Sequence, residues 1–297
     1  MQSLSEDRTQ PLISVCIPVY NGAGYISEAI HSVLAQNYPN LEIIVQDNFS
    51  TDDTWSIVEQ IAEKNPQLSI QKNARNIGMA PNWNIAVNRA QGEFVMLLSA
   101  DDILAPNYLS RCLNILKNEA VDVVTTNHYY LKNKKKRSRK VFIRNGEYTK
   151  FYNEVLLFNP FPIVFALFRK QTISKMRQRN NLFNERFPLT CDYELLIRLS
   201  LKGTSLYYIQ EPLASYRIHE SNLSRQVPRM NRQAAQVLLY HCAELRQACG
   251  LAYRFTLVRF IMRIIRNLIW FRYFDKRMFF VLWKEFWYDR SCFKKGI

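Results

Sequence analysis

The chain has 297 residues, 48% hydrophobic and 22% charged, which is apolar enough for one large domain with a sizeable core and excludes disorder over most of its length. Its net charge of +15 is split unevenly: residues 1–131 carry 7 basic against 14 acidic residues, a net of −7, and the remainder 33 against 11, a net of +22. The basic part calls for an anionic partner, whether a membrane surface, a phosphorylated substrate or nucleic acid.

In chain order, MQSLSEDRTQPL lacks the basic-then-apolar pattern of a signal peptide. Leu12 to Pro18 is a buried strand by its β-branched apolar run. Tyr25 to Gln36 carries Ile26, Ala29, Ile30, Val33 and Leu34 at helical spacing, and Leu41 to Val45 is a second strand. Ser50 and Asp52 are N-cap candidates for a helix through Ile57, Val58 and Ile61. A short strand at Leu68 to Gln71, a helix over Pro81 to Ala90 and a buried strand at Phe94 to Leu98 follow. Pro106 opens a helix to Asn118, and Val121 to Thr126 is a further strand. Strands alternating with helices predict βαβ units and a mostly parallel sheet. Ligands of such sheets bind beyond the C-terminal strand ends. Polar clusters fall there: Tyr20-Asn21, Asp47-Asn48 and Ser99 to Asp102.

After Thr126 the pattern loosens. Lys132 to Lys140 holds seven basic residues in nine, a hairpin tip. Helices are predicted around Tyr148 to Phe158 and Tyr193 to Leu201, strands near Ile163 to Phe168 and Ser205 to Tyr208, and helix from Met230 onward. Six cysteines, at 16, 112, 191, 242, 249 and 292, form no Cys-x-x-Cys pair and suit reduced, buried thiols in the cytosol. No run of about 18 uncharged apolar residues predicts a membrane-spanning helix.

The adjacent carboxylates Asp101 and Asp102 end a strand, where they either cap the following turn or hold Mg2+ or Mn2+ through oxygen. Asp47, at the end of the second strand, either forms a turn or accepts a hydrogen bond from a base or ribose. Asp192 and Glu194 open a helix, where acidic residues suit the dipole; a carboxylate there also suits a general base. His219 is one of four histidines, structural or an imidazole ligand for Mn2+.

Four segments taken together, ISVCIPVYNGAGYISEAIHSVLAQNYPNLEIIVQDNFSTDDT, NIGMAPNWNIAVNRAQGEFVMLLSADD, CDYELLIRLSLKG and EPLASYRIHESNLS, resemble family 2 glycosyltransferases of the GT-A fold over roughly residues 12 to 225. The resemblance implies an α/β, Rossmann-like nucleotide-binding sheet with helices on both faces, followed by a helical region. It implies a glycosyltransferase domain over 1–228, its donor half ending near 131, and a basic amphipathic region over 229–297. By the same resemblance Pro18, Tyr20, Asn21, Glu28, Asp47, Gly78, Asn84, Ala100 and Asp101 bind the nucleotide. Asp101, Asp102 and His219 bind the metal, and Asp192 is the catalytic base. The implied reaction is an inverting, metal-dependent transfer from a UDP-linked sugar to a glycan or lipid-linked acceptor, on the cytosolic face of a membrane. Departures from the family pattern are Asn48 and Phe49 in place of an acid and a glycine, Ser99 in place of the motif's first acid, and Cys191 before Asp192. They leave a non-catalytic sugar-nucleotide binder as the alternative.

Residues 251–297 hold 11 basic against 3 acidic residues. Arg259, Arg263 and Arg266 share a helical face among apolar residues, with Trp270, Trp283 and Trp287 nearby. This is the pattern of an interfacial helix on anionic lipid; packing against the domain or a second subunit of a homo-oligomer is the alternative. A nucleic-acid partner is disfavoured, because the basic residues interleave with aliphatics and the acidic half repels phosphate.

Overall fold

Seven consecutive buried residues, Ile13–Val19, form β1, the centre of a computed structural model that describes residues 10–141, 143–157, 159–271 and 283. An unbroken apolar run is stable in a sheet covered on both faces. Helix α1 (Ile26–Leu34), β2 (Leu41–Asp47), α2 (Thr54–Ala62), β3 (Leu68–Lys72), α3 (Met79–Arg89) and β4 (Phe94–Leu97) alternate as the periodicity predicts. The four strands are parallel, in the order β3-β2-β1-β4.

The second half continues with β5 (Ile103–Leu104), α4 (Tyr108–Asn118), β6 (Val123–Lys132), β7 (Lys135–Ser138), β8 (Gly146–Tyr148), α5 (Tyr152–Leu157), β9 (Ala166–Arg169), α6 (Lys170–Met176), α7 (Cys191–Leu201), β10 (Leu206–Arg217), α8 (Val227–Tyr240) and α9 (Cys242–Phe271). The sheet runs β3-β2-β1-β4-β9-β6-β10-β5, with β7 on β6 and β8 on β10. Strand β9 is antiparallel to both neighbours, β4 and β6, so the sheet is more mixed than expected. Side-chain alternation is the same for either strand direction, so the local sequence does not encode this. Strand β10 is far longer than the predicted Ser205 to Tyr208. Its Gln210-Glu211-Pro212 interruption is absorbed by register shifts between Ile209 and Ala214, the kind of irregularity where proline is tolerated in a sheet.

One core, with Ile13, Val15 and Ile17, packs under α1, α2 and α4; the other, with Cys16 and Leu97, packs under α3, α5 and α7. Ala235, Leu238, Leu245, Tyr253 and Leu257 of α8 and α9 belong to this second core. The boundary expected at 228 therefore does not separate two cores. On α9, Leu251, Phe255, Val258 and Met262 remain exposed. The expected interfacial stretch falls partly outside the described residues, as Trp287 does. Among the described residues no helix is long and apolar enough to cross a membrane.

The basic run forms the β6–β7 hairpin. Asn133 and Lys134, both at positive φ (48° and 61°), make its two-residue turn. Its exposed charges line an edge strand, where lysine discourages pairing with other chains.

Candidate active site

The crevice opens where β1 and β4 part. Their last rung is the Leu98 N–H donating to the Cys16 carbonyl at 2.9 Å. Two residues on, Pro18 has no N–H to offer on that side, and the β1–β4 pairing has ended. Beyond it Tyr20 is 48% exposed. Asn21, at φ 50°, donates its N–H to Ser50 Oγ (2.9 Å) and accepts from Thr51 N–H (2.9 Å).

At the end of β2, Asp47 is fully buried. Its carboxylate accepts from the Ser50 N–H (3.1 Å) and the Ser50 hydroxyl, and Lys72 Nζ lies 3.8 Å away. Ser50 thus binds Asp47 in place of the expected N-cap on α2. Asn48 uses its whole amide. Oδ1 accepts from Ile77 N–H (2.9 Å) and Asn73 Nδ2 (3.0 Å), and Nδ2 donates to Asn76 Oδ1 (3.0 Å) and the Gly78 carbonyl (3.2 Å). Gly78 needs its φ of 91° to begin α3 from this loop.

On the other wall, His219 Nε2 lies 2.8 Å from Asp101 Oδ2. Asn222 Nδ2 donates to the same oxygen at 3.2 Å, Ser221 bonds His219 Nδ1 at 2.8 Å, and Tyr25 stacks on the imidazole at 4.6 Å. Arg217 ties the wall together. Its N–H donates to Asp102 Oδ1 (2.9 Å), Nε to the Asp101 carbonyl (2.7 Å) and Nη2 to Glu28 Oε2 (2.6 Å). Ala100, in the turn before Asp101, lies against Gly22.

Asp102 does not face the crevice as Asp101 does. It is buried, its Oδ2 has no hydrogen-bond partner among the described residues, and burial followed by the Asp101 charge pushes its carboxyl well above the usual range. Glu28, expected at the nucleotide, instead pairs with Arg217. Asn84 also departs from expectation. It is buried, and its amide is spent on Phe183 N–H and carbonyl and on Glu185, pinning α3 to the 183–185 segment.

Asp192 opens α7 and accepts from Tyr193 N–H at 2.8 Å. Burial pushes its carboxyl up. The Tyr216 hydroxyl is pushed up by burial, against the lowering effect of its hydrogen bond with Ser224, and further up by the charges of Asp102, Asp101 and Asp192. Glu194, its neighbour in the motif, points instead into the core, bonded to Arg198 and His241.

Sequence reasoning missed Tyr25, Arg217 and Asn222. Arg217 and Asn222 sit two and three residues from His219 in SYRIHESN, and that proximity was their only signal. Among the described residues no three His, Cys, Asp or Glu side chains converge as a metal site. Asp101 and His219 do fit a shared divalent cation. Their oxygen and nitrogen lie 2.8 Å apart, near the separation of about 3 Å between adjacent ligands on such an ion, and this donor pair suits Mn2+.

A family model described as glycosyl transferase family 2 matches residues 14–177. An uncharacterized glycosyltransferase of Rickettsia prowazekii (strain Madrid E) is 35% identical over 213 residues, 70% of this chain and 64% of that protein. Another, of Rickettsia typhi, is 34% identical over 222 residues, 73% of this chain and 67% of its own. The chain thus spans about two thirds of these relatives' length. Among solved structures, S. aureus TarS 1-349 in complex with UDP-GlcNAc matches with a TM-score of 0.61 at 20% identity, over 84% of this chain and 80% of that one. The mannosyltransferase PcManGT from Pyrobaculum calidifontis, in complex with GDP-Man and Mn2+, also matches at 0.61 and 20%, over 89% and 77%. At such identities the likeness speaks for the fold.

Proposed function

The chain belongs to glycosyl transferase family 2, and on that premise we propose that it transfers a sugar from a UDP-linked donor to an acceptor hydroxyl with inversion, assisted by a divalent cation. The observation that carries this reading is the Asp101–His219 pair, 2.8 Å apart beyond the strand ends. The UDP-GlcNAc complex of TarS supports a UDP-linked donor, and the PcManGT complex supports Mn2+.

In this reading Asp101 and His219 hold Mn2+ or Mg2+, which when bound offsets the charge on the departing diphosphate. Asn222 and Arg217 fix the pair from behind. Asp102, buried behind Asp101, positions the turn instead of ligating. Asp192 accepts the proton of the acceptor hydroxyl as its oxygen bonds the anomeric carbon and the sugar–phosphate bond breaks. A carboxylate whose affinity for a proton is raised by burial is the better base.

The acceptor is a lipid-linked glycan intermediate at the cytosolic face of a membrane. The basic second half and the exposed apolar side chains of α9 support this placement. A thermal-shift panel of nucleotide sugars with and without Mn2+ tests the donor. Stabilisation by UDP-sugars that depends on Mn2+ is the expected result. A response to GDP-sugars alone would replace the donor, and no response at all would remove the donor reading.

A further inference from the structure

Phe49 holds a left-handed backbone conformation, φ 66°, that a bulky L residue rarely adopts. The residue is 44% exposed, so core packing does not repay the strain. Both flanks over-determine the conformation: Asn48 is held by four amide hydrogen bonds, and Ser50 by Asp47 and Asn21. Strain held in place beside a candidate site motivates a functional reading.

The location narrows it. Phe49 stands two residues beyond Asp47 at the end of β2. The end of β1 is tied to it by the Asn48 N–H donating to the Val19 carbonyl at 2.8 Å, and carries the exposed Tyr20. Lys72 Nζ lies 5.7 Å from the Phe49 ring and 5.6 Å from that of Trp55, and 3.8 Å from Asp47. A flat apolar surface therefore borders a buried carboxylate and an ammonium. This combination suits a heterocyclic base, which presents a π-face and polar edges.

We propose that the Phe49 ring is a stacking face for the nucleobase of the donor and adds to its affinity. The inference rests on the nucleotide-sugar reading above. Stacking tolerates any base, so Phe49 raises affinity for nucleoside diphosphates and leaves the choice of base to polar groups such as Asp47 and Lys72.

Calorimetric titration of the full chain in Mn2+ with UDP, GDP and inorganic pyrophosphate tests this in wild type, Phe49→Leu, Phe49→Tyr and Phe49→Gly. Leucine keeps the backbone strain and loses the π-face; glycine relieves the strain. The Leu and Gly variants should bind UDP roughly five- to a hundredfold more weakly, the usual loss for one base–aromatic stack. The Tyr variant should stay near wild type, pyrophosphate should bind all four equally, and Phe49→Gly should melt no lower than wild type. Wild-type UDP affinity in Phe49→Leu overturns the inference alone. So does pyrophosphate weakening in step with UDP, which would move the effect to the phosphates or the fold. A wild type that binds neither UDP nor GDP overturns the donor reading and this inference with it.

Discussion

His219 Nε2 and Asp101 Oδ2 lie 2.8 Å apart although 118 residues separate them in sequence. The contact brings the end of β10 onto the turn after β4; Arg217, the last residue of that strand, bonds the Asp101 carbonyl, and Asn222, in the loop beyond, bonds the Asp101 carboxylate and accepts from the His219 N–H. With Tyr25 stacked on its other face, the imidazole is positioned before any ligand arrives.

Replacing Asp101 with Ala should abolish Mn2+-dependent UDP binding and lower turnover by about a hundredfold or more, the scale of losing one electrostatic stabiliser of the leaving group. His219→Ala should weaken the Mn2+ dependence while leaving the fold intact. Titration of Mn2+ against UDP binding and turnover checks both. Wild-type turnover in Asp101→Ala would remove the metal assignment.

Asp192→Asn should fold and bind donor but lose transfer by about a hundredfold or more. Burial raises the Asp192 carboxyl, and a base acts only when deprotonated. The acid limb of kcat/KM in wild type should therefore lie above the ordinary carboxylate value of about 4. A pH–rate profile measures this. A variant that melts early and loses donor binding would point to helix capping instead.

Asn48→Asp restores the family's usual acid and should nevertheless destabilise the protein. A carboxylate can accept from Ile77 and Asn73 but cannot donate to Asn76 and Gly78. Asn76 and Gly78 are exposed, so water replaces the lost donor and the expected cost is about 0.5–1.5 kcal/mol per hydrogen bond, read as a lower melting temperature and faster exchange of the 73–78 amides. Wild-type stability in this variant would show that the loop does not depend on the amide.

Glu194 is fully buried, with Arg198 and His241 against it. Burial alone would raise its carboxyl, but the bonds and charges of these two partners outweigh it and hold the group below its usual value. A depressed folded value contributes stability above the unfolded value of about 4.3 and loses it as pH falls through that value and below. Glu194→Gln should cost about 3–5 kcal/mol at neutral pH by stranding Arg198, and should flatten the loss of melting temperature between about pH 5 and 3. An acid transition unchanged in the variant would assign it to other carboxylates.

Ending the chain at Gly250 should destabilise the domain, because Tyr253 and Leu257, each 1% exposed, belong to the core. Losing two such side chains costs about 4 kcal/mol or more. Membrane attachment is therefore best measured on the full chain, by co-sedimentation with anionic and neutral vesicles. Selective binding to anionic vesicles is expected, partly resistant to salt because apolar side chains insert. Failure to bind anionic vesicles at low salt would remove the membrane reading.

The parallel half of the sheet is legible in the sequence alone. Runs such as Ile13 to Val19 bury both faces, and the helices between them carry one apolar stripe each, so periodicity fixes their type and order. Motif order likewise marked Asp47, Asp101, Asp192 and His219 as candidates at element ends. Which of these meet is set by the packing of elements far apart in the chain. That packing joined His219 to Asp101, turned Asp102 inward, spent Asn84 on the 183–185 segment, made Arg217 the tie between Glu28 and the Asp101 turn, and inserted β9 antiparallel. The same closure put Leu245, Tyr253 and Leu257 of α9 into the second core, where a basic amphipathic pattern alone suggested a separate region. The physical reason is common to all of these. Local periodicity encodes which face of an element avoids water, whereas the partner of a polar side chain is set by chain closure between elements far apart in sequence.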